Sequence, residues 1–203
     1  MNLRFFCLCV VVLALSQGDH AFTAGPTYRG GLVTPPLPKP RFTLTDTSGA
    51  PFDFWRQTDG YVTLLFFGYT RCPDECPMHV SNIAQGLKKL PAGAGDRVKL
   101  VFVTTDPARD TPKVLRAWLN QFDTRFIGLT GSQAAIDAVQ TAAMVPVATK
   151  TASAGGDYAV GHANFVIAYT KDNLAHVIYP GGVTQQDWAH DLPQLVNETW
   201  SRR

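Results

Sequence analysis

The most reactive side chains in this sequence lie in GYTRCPDECPMH, residues 68 to 79, where Cys72 and Cys76 stand four positions apart among prolines. Three chemistries use such a pair: a structural disulfide, a thiol–disulfide exchange centre and a metal clamp. Closing so short a loop removes little chain entropy, and prolines already stiffen it, so stapling is a weak reason for the pair. Exchange needs thiols on an adjustable loop, which this segment offers, although the best-known redox spacing has two residues between the cysteines rather than three. Two thiolates are also soft ligands for Cu(I), Zn(II) or iron–sulfur clusters.

Pro77 lacks an N–H and suits the first position of a helix, which makes Cys76 the expected N-cap and leaves Cys72 in the loop before it. The positive end of the helix dipole then lowers the Cys76 pKa. Arg71 acts in the same direction, and Asp74 and Glu75 oppose it. A metal would need a third donor from the five histidines. His20 falls in a leader, His176 in a strand and His190 on a helix, all ordinary positions. His79 follows Cys76 by three residues, but a side chain at the third helical position leans back past the cap toward neither thiol in particular, and Met78 is a soft donor that nothing forces into the site.

The elements that must position these groups can be traced along the chain. YVTLLFFGYT, Tyr61 to Thr70, and VKLVFVTTD, Val98 to Asp106, are near-continuous apolar runs of the kind found in strands buried on both faces. Val80, Ile83, Ala84 and Leu87 place a helix between them. Thr111 and Pro112 cap a second helix with Val114, Leu115, Trp118, Leu119 and Phe122 on one face, and Ser132 opens a third. Thr151 to Gly161 reads as a small, polar loop. FVIAYT and LAHVIYP flank the turn residues KDN as a hairpin, and Thr184 with Asp187 caps a last helix that Pro193 should kink. FTLTD and SGAPFDF form an N-terminal β-hairpin. The expected architecture is α/β, a central mixed sheet flanked by helices, with parallel strands at its core. Sites in such sheets sit at the carboxyl ends of the parallel strands. The cysteine loop and Asp106 both follow such ends, and a strand starting near Asn164 begins at the same edge. His162 is therefore placed to face the cysteines. Two Cys and one His leave zinc short of its usual fourth ligand, while copper accepts three-coordinate sites, so copper fits better.

At 203 residues and 45% hydrophobic content the chain can bury one domain-sized core. Its net charge of +2, with no basic run, gives no support for nucleic-acid binding. Arg4 and the apolar run Phe5 to Leu15 suit a secretory leader over residues 1–24, too short for a bilayer crossing, which needs about 20 residues. Ala14, Ser16 and Ala24 offer cleavage sites. An exported, periplasmic protein is expected, with an uncleaved membrane anchor as the alternative. Cys7 and Cys9 would leave with the leader. Residues 25–40, rich in Gly and Pro, read as an extended linker before a domain spanning 41–203.

GYTRCPDECP, DPARDTP (106 to 112), GLTGS (128 to 132) and DYAVGH (157 to 162) resemble, in order and spacing, the Sco/SenC copper chaperones. The resemblance covers most of the chain from about residue 41 and implies a thioredoxin-like fold. It also implies one copper ion, Cu(I) or Cu(II), held by Cys72, Cys76 and His162, with Asp106 shaping the site. Members of the family deliver copper to the binuclear centre of cytochrome c oxidase, so the implied partner is the copper-bearing subunit of that enzyme or another copper or thiol protein of the same compartment. The domain would work as a monomer close to a membrane. Some members instead reduce the cysteines of that centre, in which case Cys72 and Cys76 are the redox pair of a thiol–disulfide oxidoreductase. Gly161 stands where the family commonly has Asp, and Arg71 where it often has His or Phe. A carboxylate that could orient the imidazole is thus missing.

Overall fold

The computed structural model describes residues 27–152 and 157–200; the leader reading, with Cys7, Cys9 and His20, lies outside them. Ten strands and five helices follow in order: β1 (Gly31–Pro38), β2 (Thr43–Asp46), β3 (Pro51–Asp53), α1 (Phe54–Gln57), β4 (Val62–Gly68), α2 (Glu75–Leu87), β5 (Val98–Thr104), α3 (Pro112–Leu119), β6 (Ile127–Thr130), α4 (Gln133–Ala142), β7 (Thr149–Ala152), β8 (Tyr158–Gly161), β9 (Phe165–Tyr169), β10 (Leu174–Pro180) and α5 (Gln185–Asn197). Eight strands form one mixed sheet in the order β1-β10-β9-β4-β5-β6-β2-β3. β4, β5 and β6 run parallel at its centre, and β9 pairs antiparallel with β4.

The apolar runs follow from that position. Every residue of β4 is buried, and successive side chains enter opposite layers of the core. Leu64 and Phe66 pack with Val80, Ile83, Leu115 and Trp188 of α2, α3 and α5, while Leu65 and Phe67 pack with Phe54, Ile136 and Val139 of α1 and α4. Thr111, Ser132 and Thr184 cap α3, α4 and α5 as their side chains predict, Thr184 in a full capping box with Asp187. Pro193 lies inside α5, which continues past it to Asn197. Val114 departs from the expected buried face of α3, being 42% exposed.

Two further expectations are corrected. Residues 31–38 are not a linker outside the domain: they form edge strand β1, paired with β10 and bulged between Leu32 and Leu37. Prolines are tolerated there because an edge strand has one side with no ladder to feed. Both ends of the segment are tied down. Asp191 of α5 accepts the Arg29 and Gly30 N–H groups at 2.8 and 3.3 Å, and the Lys39 Nζ donates to Thr58 O at 3.0 Å. Nor is 151–161 a plain loop, since β7 and β8 pair as an antiparallel hairpin outside the main sheet.

Candidate metal centre

The parallel strands deliver the cysteine loop and Asp106 to the same sheet edge. β4 ends at Gly68 and β5 at Thr104, paired in register, and the Thr105 N–H donates to Gly68 O at 2.7 Å. Asp110, fully buried, then fastens the root of the cysteine loop. Its carboxylate accepts the Thr70 N–H at 2.9 Å, the Thr70 hydroxyl at 2.5 Å and the Thr104 hydroxyl at 2.6 Å. Asp110 sits in the DPARDTP stretch, but nothing in its spacing marks it as the residue that turns inward.

α2 begins earlier than expected. Its N-cap is Asp74, so Cys76 is the second helical residue and Pro77 the third. Pro77 costs no hydrogen bond there, because the first four N–H groups of a helix have no intrahelical partner. Cys76 turns inward and is fully buried. Its sulfur lies so close to β4 that a Cβ on Gly68 would stand 2.7 Å from Sγ, so glycine is required at that strand end. Cys72, partly exposed, takes the place foreseen for Cys76: the orphan N–H of Cys76 donates to Cys72 Sγ at 3.5 Å.

The thiols are therefore opposite in acidity, and the expected lowering at Cys76 is reversed. Hydrogen bonding from the Cys76 thiol, joined by the Cys76 and Asp74 N–H groups, outweighs burial and pushes the Cys72 pKa down to about 3. Burial, reinforced by the neighbouring Cys72 sulfur, pushes Cys76 far up. The dipole end of α2 acts on whichever sulfur meets its free N–H groups, and that is Cys72.

His162 arrives from the junction of β8 and β9, 86 residues beyond Cys76, with Nε2 at 3.3 Å from Cys76 Sγ. The ligand atoms of Cys72, Cys76 and His162 all lie within 4.8 Å of one another, the one such cluster of Cys, His or carboxylate groups among the described residues. His162 Nδ1 faces the Ala163 carbonyl at 3.0 Å. A carbonyl only accepts, so Nδ1 carries the proton and the Nε2 lone pair points toward the thiols. A backbone oxygen thus orients the imidazole without the carboxylate missing at Gly161. The rings of Tyr69 and Phe66 meet His162 edge-on at 5.6 and 6.1 Å.

Asp106 is fully buried and reaches the site indirectly. It accepts the Tyr158 hydroxyl at 2.6 Å, pairs with Arg109 and faces Lys150 Nζ at 3.3 Å. Burial alone would raise its pKa, but these bonds together hold it below the ordinary carboxylate range. Arg109 also stacks 3.7 Å from the Tyr158 ring and bonds Asp157 at 2.7 Å. Asp106 thereby holds the β7–β8 hairpin, from whose end His162 projects, against the β5–α3 loop. Of the other candidates, His176 pairs with Asp172 and His190 with Asp191, each away from the thiols. Met78 is 40% exposed. His79 is buried and donates through Nε2 to Asn164 Oδ1, 2.9 Å away.

The family model described as SCO1/SenC matches residues 34–197. A protein of Stutzerimonas stutzeri named for copper binding is 37% identical over 123 residues, 61% of this chain and 59% of that protein. Mitochondrial SCO2 of Saccharomyces cerevisiae is 34% identical over 125 residues, covering 61% of this chain and 41% of that one. The matched region thus spans about half of the length of these curated relatives. Among solved structures, copper-bound ScoI of Bradyrhizobium japonicum aligns with a TM-score of 0.69 at 32% identity, over 78% of this chain and 99% of that one. Apo Sco1 of Thermus thermophilus aligns at 0.75 and 32% identity, over 85% and 99%. The mixed sheet and its flanking helices are those of these thioredoxin-like proteins, and the chain belongs to the SCO1/SenC family.

Proposed function

We propose that this protein is a copper metallochaperone that carries one copper ion on Cys72, Cys76 and His162 and delivers it to the binuclear copper site of cytochrome c oxidase. The observation that carries the reading is the convergence of two sulfurs and one imidazole nitrogen within 4.8 Å, from segments far apart in sequence. Two thiolates and one imidazole make a soft, low-coordinate donor set suited to copper. Family membership supports oxidase assembly as the setting. Work in the periplasm after export fits the leader composition, and no helix among the described residues is long and apolar enough to cross a membrane.

The test is a copper titration of the reduced protein with metal analysis and absorption spectra, repeated on Cys72→Ser and His162→Ala. One copper per chain is expected, with severe weakening in both variants. Unchanged affinity in His162→Ala overturns the ligand set.

A second reading is favoured by the asymmetry of the thiols. A partly exposed thiolate beside a buried, protonated partner is also the arrangement of a thiol–disulfide oxidoreductase, with Cys72 attacking and Cys76 resolving. That activity needs only the cysteines. Rapid reduction of a small disulfide by a protein that binds no copper at micromolar concentration would establish it over the chaperone.

A further inference from the structure

His162 and Cys76 sit on separate pieces of chain. One lies between β8 and β9, the other in the first turn of α2, and a metal shared between them requires a fixed separation. Metal–ligand bonds tolerate about 0.2 Å, less than a single loose side chain allows. Three side-chain hydrogen bonds join residues 162–164 to α2 among the described residues. One is the Cys76–His162 contact itself, and Asn164 makes the other two.

Asn164 Nδ2 donates to Glu75 Oε2 at 2.7 Å, and Asn164 Oδ1 lies 2.9 Å from His79 Nε2. An amide oxygen only accepts, so His79 carries its proton on Nε2. The opposite ring nitrogen, Nδ1, is buried without a partner. Glu75 and His79 stand four residues apart, one helical turn, on either side of Cys76 in the sequence. They therefore grip the amide at both of its ends and fix its rotation as well as its distance. The backbone is held too, because Asn164 O accepts the Gly181 N–H at 2.9 Å, and a Cβ on Gly181 would collide with the Asn164 amide.

A leucine at position 79 would fill the space beside Phe66 with no bare nitrogen to bury. The histidine, 2% exposed and 5.0 Å from the Phe66 ring centre, carries that cost and returns one bond, the one to Asn164.

We propose that Asn164, clasped by Glu75 and His79, is a positioning residue that sets the reach from Cys76 to His162. Its consequence for copper rests on the function proposed above, whereas its consequence for the imidazole does not. The clasp enters from the carboxyl side of His162, and the Asp106–Tyr158 contact holds the hairpin on the amino side. His162 is thus suspended between two polar attachments to two different elements.

The experiment uses the reduced mature protein, with and without copper, in four forms: wild type, Asn164→Ala, Glu75→Ala and Glu75→Gln. In the metal-free protein, nitrogen NMR of the imidazoles should show His162 as a single Nδ1–H tautomer. Asn164→Ala and Glu75→Ala should convert it to averaged signals, and Glu75→Gln, which keeps an acceptor oxygen, should restore the ordered ring. Cu(I) affinity, measured by competition with a chromogenic chelator, should fall about 10- to 100-fold in the two alanine variants and recover in Glu75→Gln. Should Asn164→Ala fail to fold, Glu75→Ala removes one limb from a partly exposed position and decides alone. Unchanged His162 ring signals with Cu(I) affinity within about two-fold of wild type would overturn the clasp. If wild type binds no copper, the metal reading fails and the metal-free ring signals still decide the clasp.

Discussion

Replacing Asp110 tests most directly how the cysteine loop is held. The carboxylate is fully buried and accepts three hydrogen bonds, two of them from Thr70, two residues before Cys72. Hydrogen bonds to a charged acceptor contribute about 1.5–3 kcal/mol each, so three sum to roughly 5–9 kcal/mol. The carboxylate's own desolvation, several kcal/mol, offsets part of that sum. Asp110→Ala should therefore cost about 3–5 kcal/mol, a large share of the roughly 5–15 kcal/mol that holds such a domain. The Thr104 hydroxyl keeps a role, since it also accepts the Asp106 N–H at 3.0 Å. The Thr70 N–H has no replacement partner.

Asp110→Asn separates geometry from charge. The Thr70 N–H and the Thr104 hydroxyl both meet Oδ2, so one amide oxygen placed there can accept both. The amide nitrogen at the Oδ1 position then donates to the Thr70 hydroxyl, which can accept. Only the charge assistance is lost, about 1–2 kcal/mol. Urea unfolding of the reduced, metal-free protein at neutral pH measures both values from the shift in midpoint at constant slope. Equal destabilisation by Asn and Ala, or a loss below about 1 kcal/mol for Ala, would refute the reasoning. Copper affinity should follow the same order, Ala well below Asn.

Three further outcomes are expected. Alkylation of Cys72 in the metal-free protein should keep its rate down to about pH 5, whereas an ordinary thiol slows tenfold per unit below its pKa near 8.5, and Cys76 should stay unreactive; a slope of one at Cys72 through pH 7 would contradict the thiolate. Because the folded Cys72 pKa is depressed, its stabilisation is complete above the ordinary thiol value and is lost as pH falls toward about 3. Tyr158→Phe removes a 2.6 Å bond to Asp106 and should cost about 1.5–3 kcal/mol in chemical unfolding, with weaker copper binding; stability within error of wild type would show that Arg109 and Lys150 suffice. Gly68→Ala drives a methyl into Cys76 Sγ and to 3.0 Å from Phe102, so about 1–3 kcal/mol should be lost and Cys76 displaced; an unchanged copper spectrum would count against the assigned sulfur position.

The parts of the fold that were legible in the sequence are those whose signals are local or set by burial. β4 and β5 read as apolar runs because both faces are covered, and Thr111, Ser132 and Thr184 read as caps because a cap bonds within one turn. β1 was not legible, since its pairing is decided by β10 and by anchors at Asp191 and Thr58 rather than by any period in GLVTPPLP. The β7–β8 hairpin was hidden for a related reason. All four β7 residues are exposed, only Val160 of β8 is buried in the core, and Tyr158 and Lys150 tie the hairpin to Asp106. Cys72, Cys76 and His162 could be brought together on paper because strand ends in an α/β sheet share an edge. Asn164 and Asp110 could not, because an inward-turned amide or carboxylate has no signature apart from its partners.

The acidity of the cysteines shows the same limit at a single atom. A helix start favours a thiolate only where the sulfur meets the free N–H groups, and burial opposes a thiolate wherever it occurs. A helix start at Glu75, two residues earlier than Pro77 suggests, rotates Cys76 into the core and hands the dipole to Cys72. One sulfur is then charged in the metal-free protein, and the other keeps a proton that a bound cation would have to displace. The His162 Nε2, 3.3 Å from Cys76 Sγ, is the third donor of the proposed site. Disulfide exchange needs the charged sulfur and the buried one, but it has no need of an imidazole held by the Ala163 carbonyl with its other nitrogen turned toward the thiols. The geometry at His162 therefore favours copper over exchange, and the pair of cysteines taken alone does not.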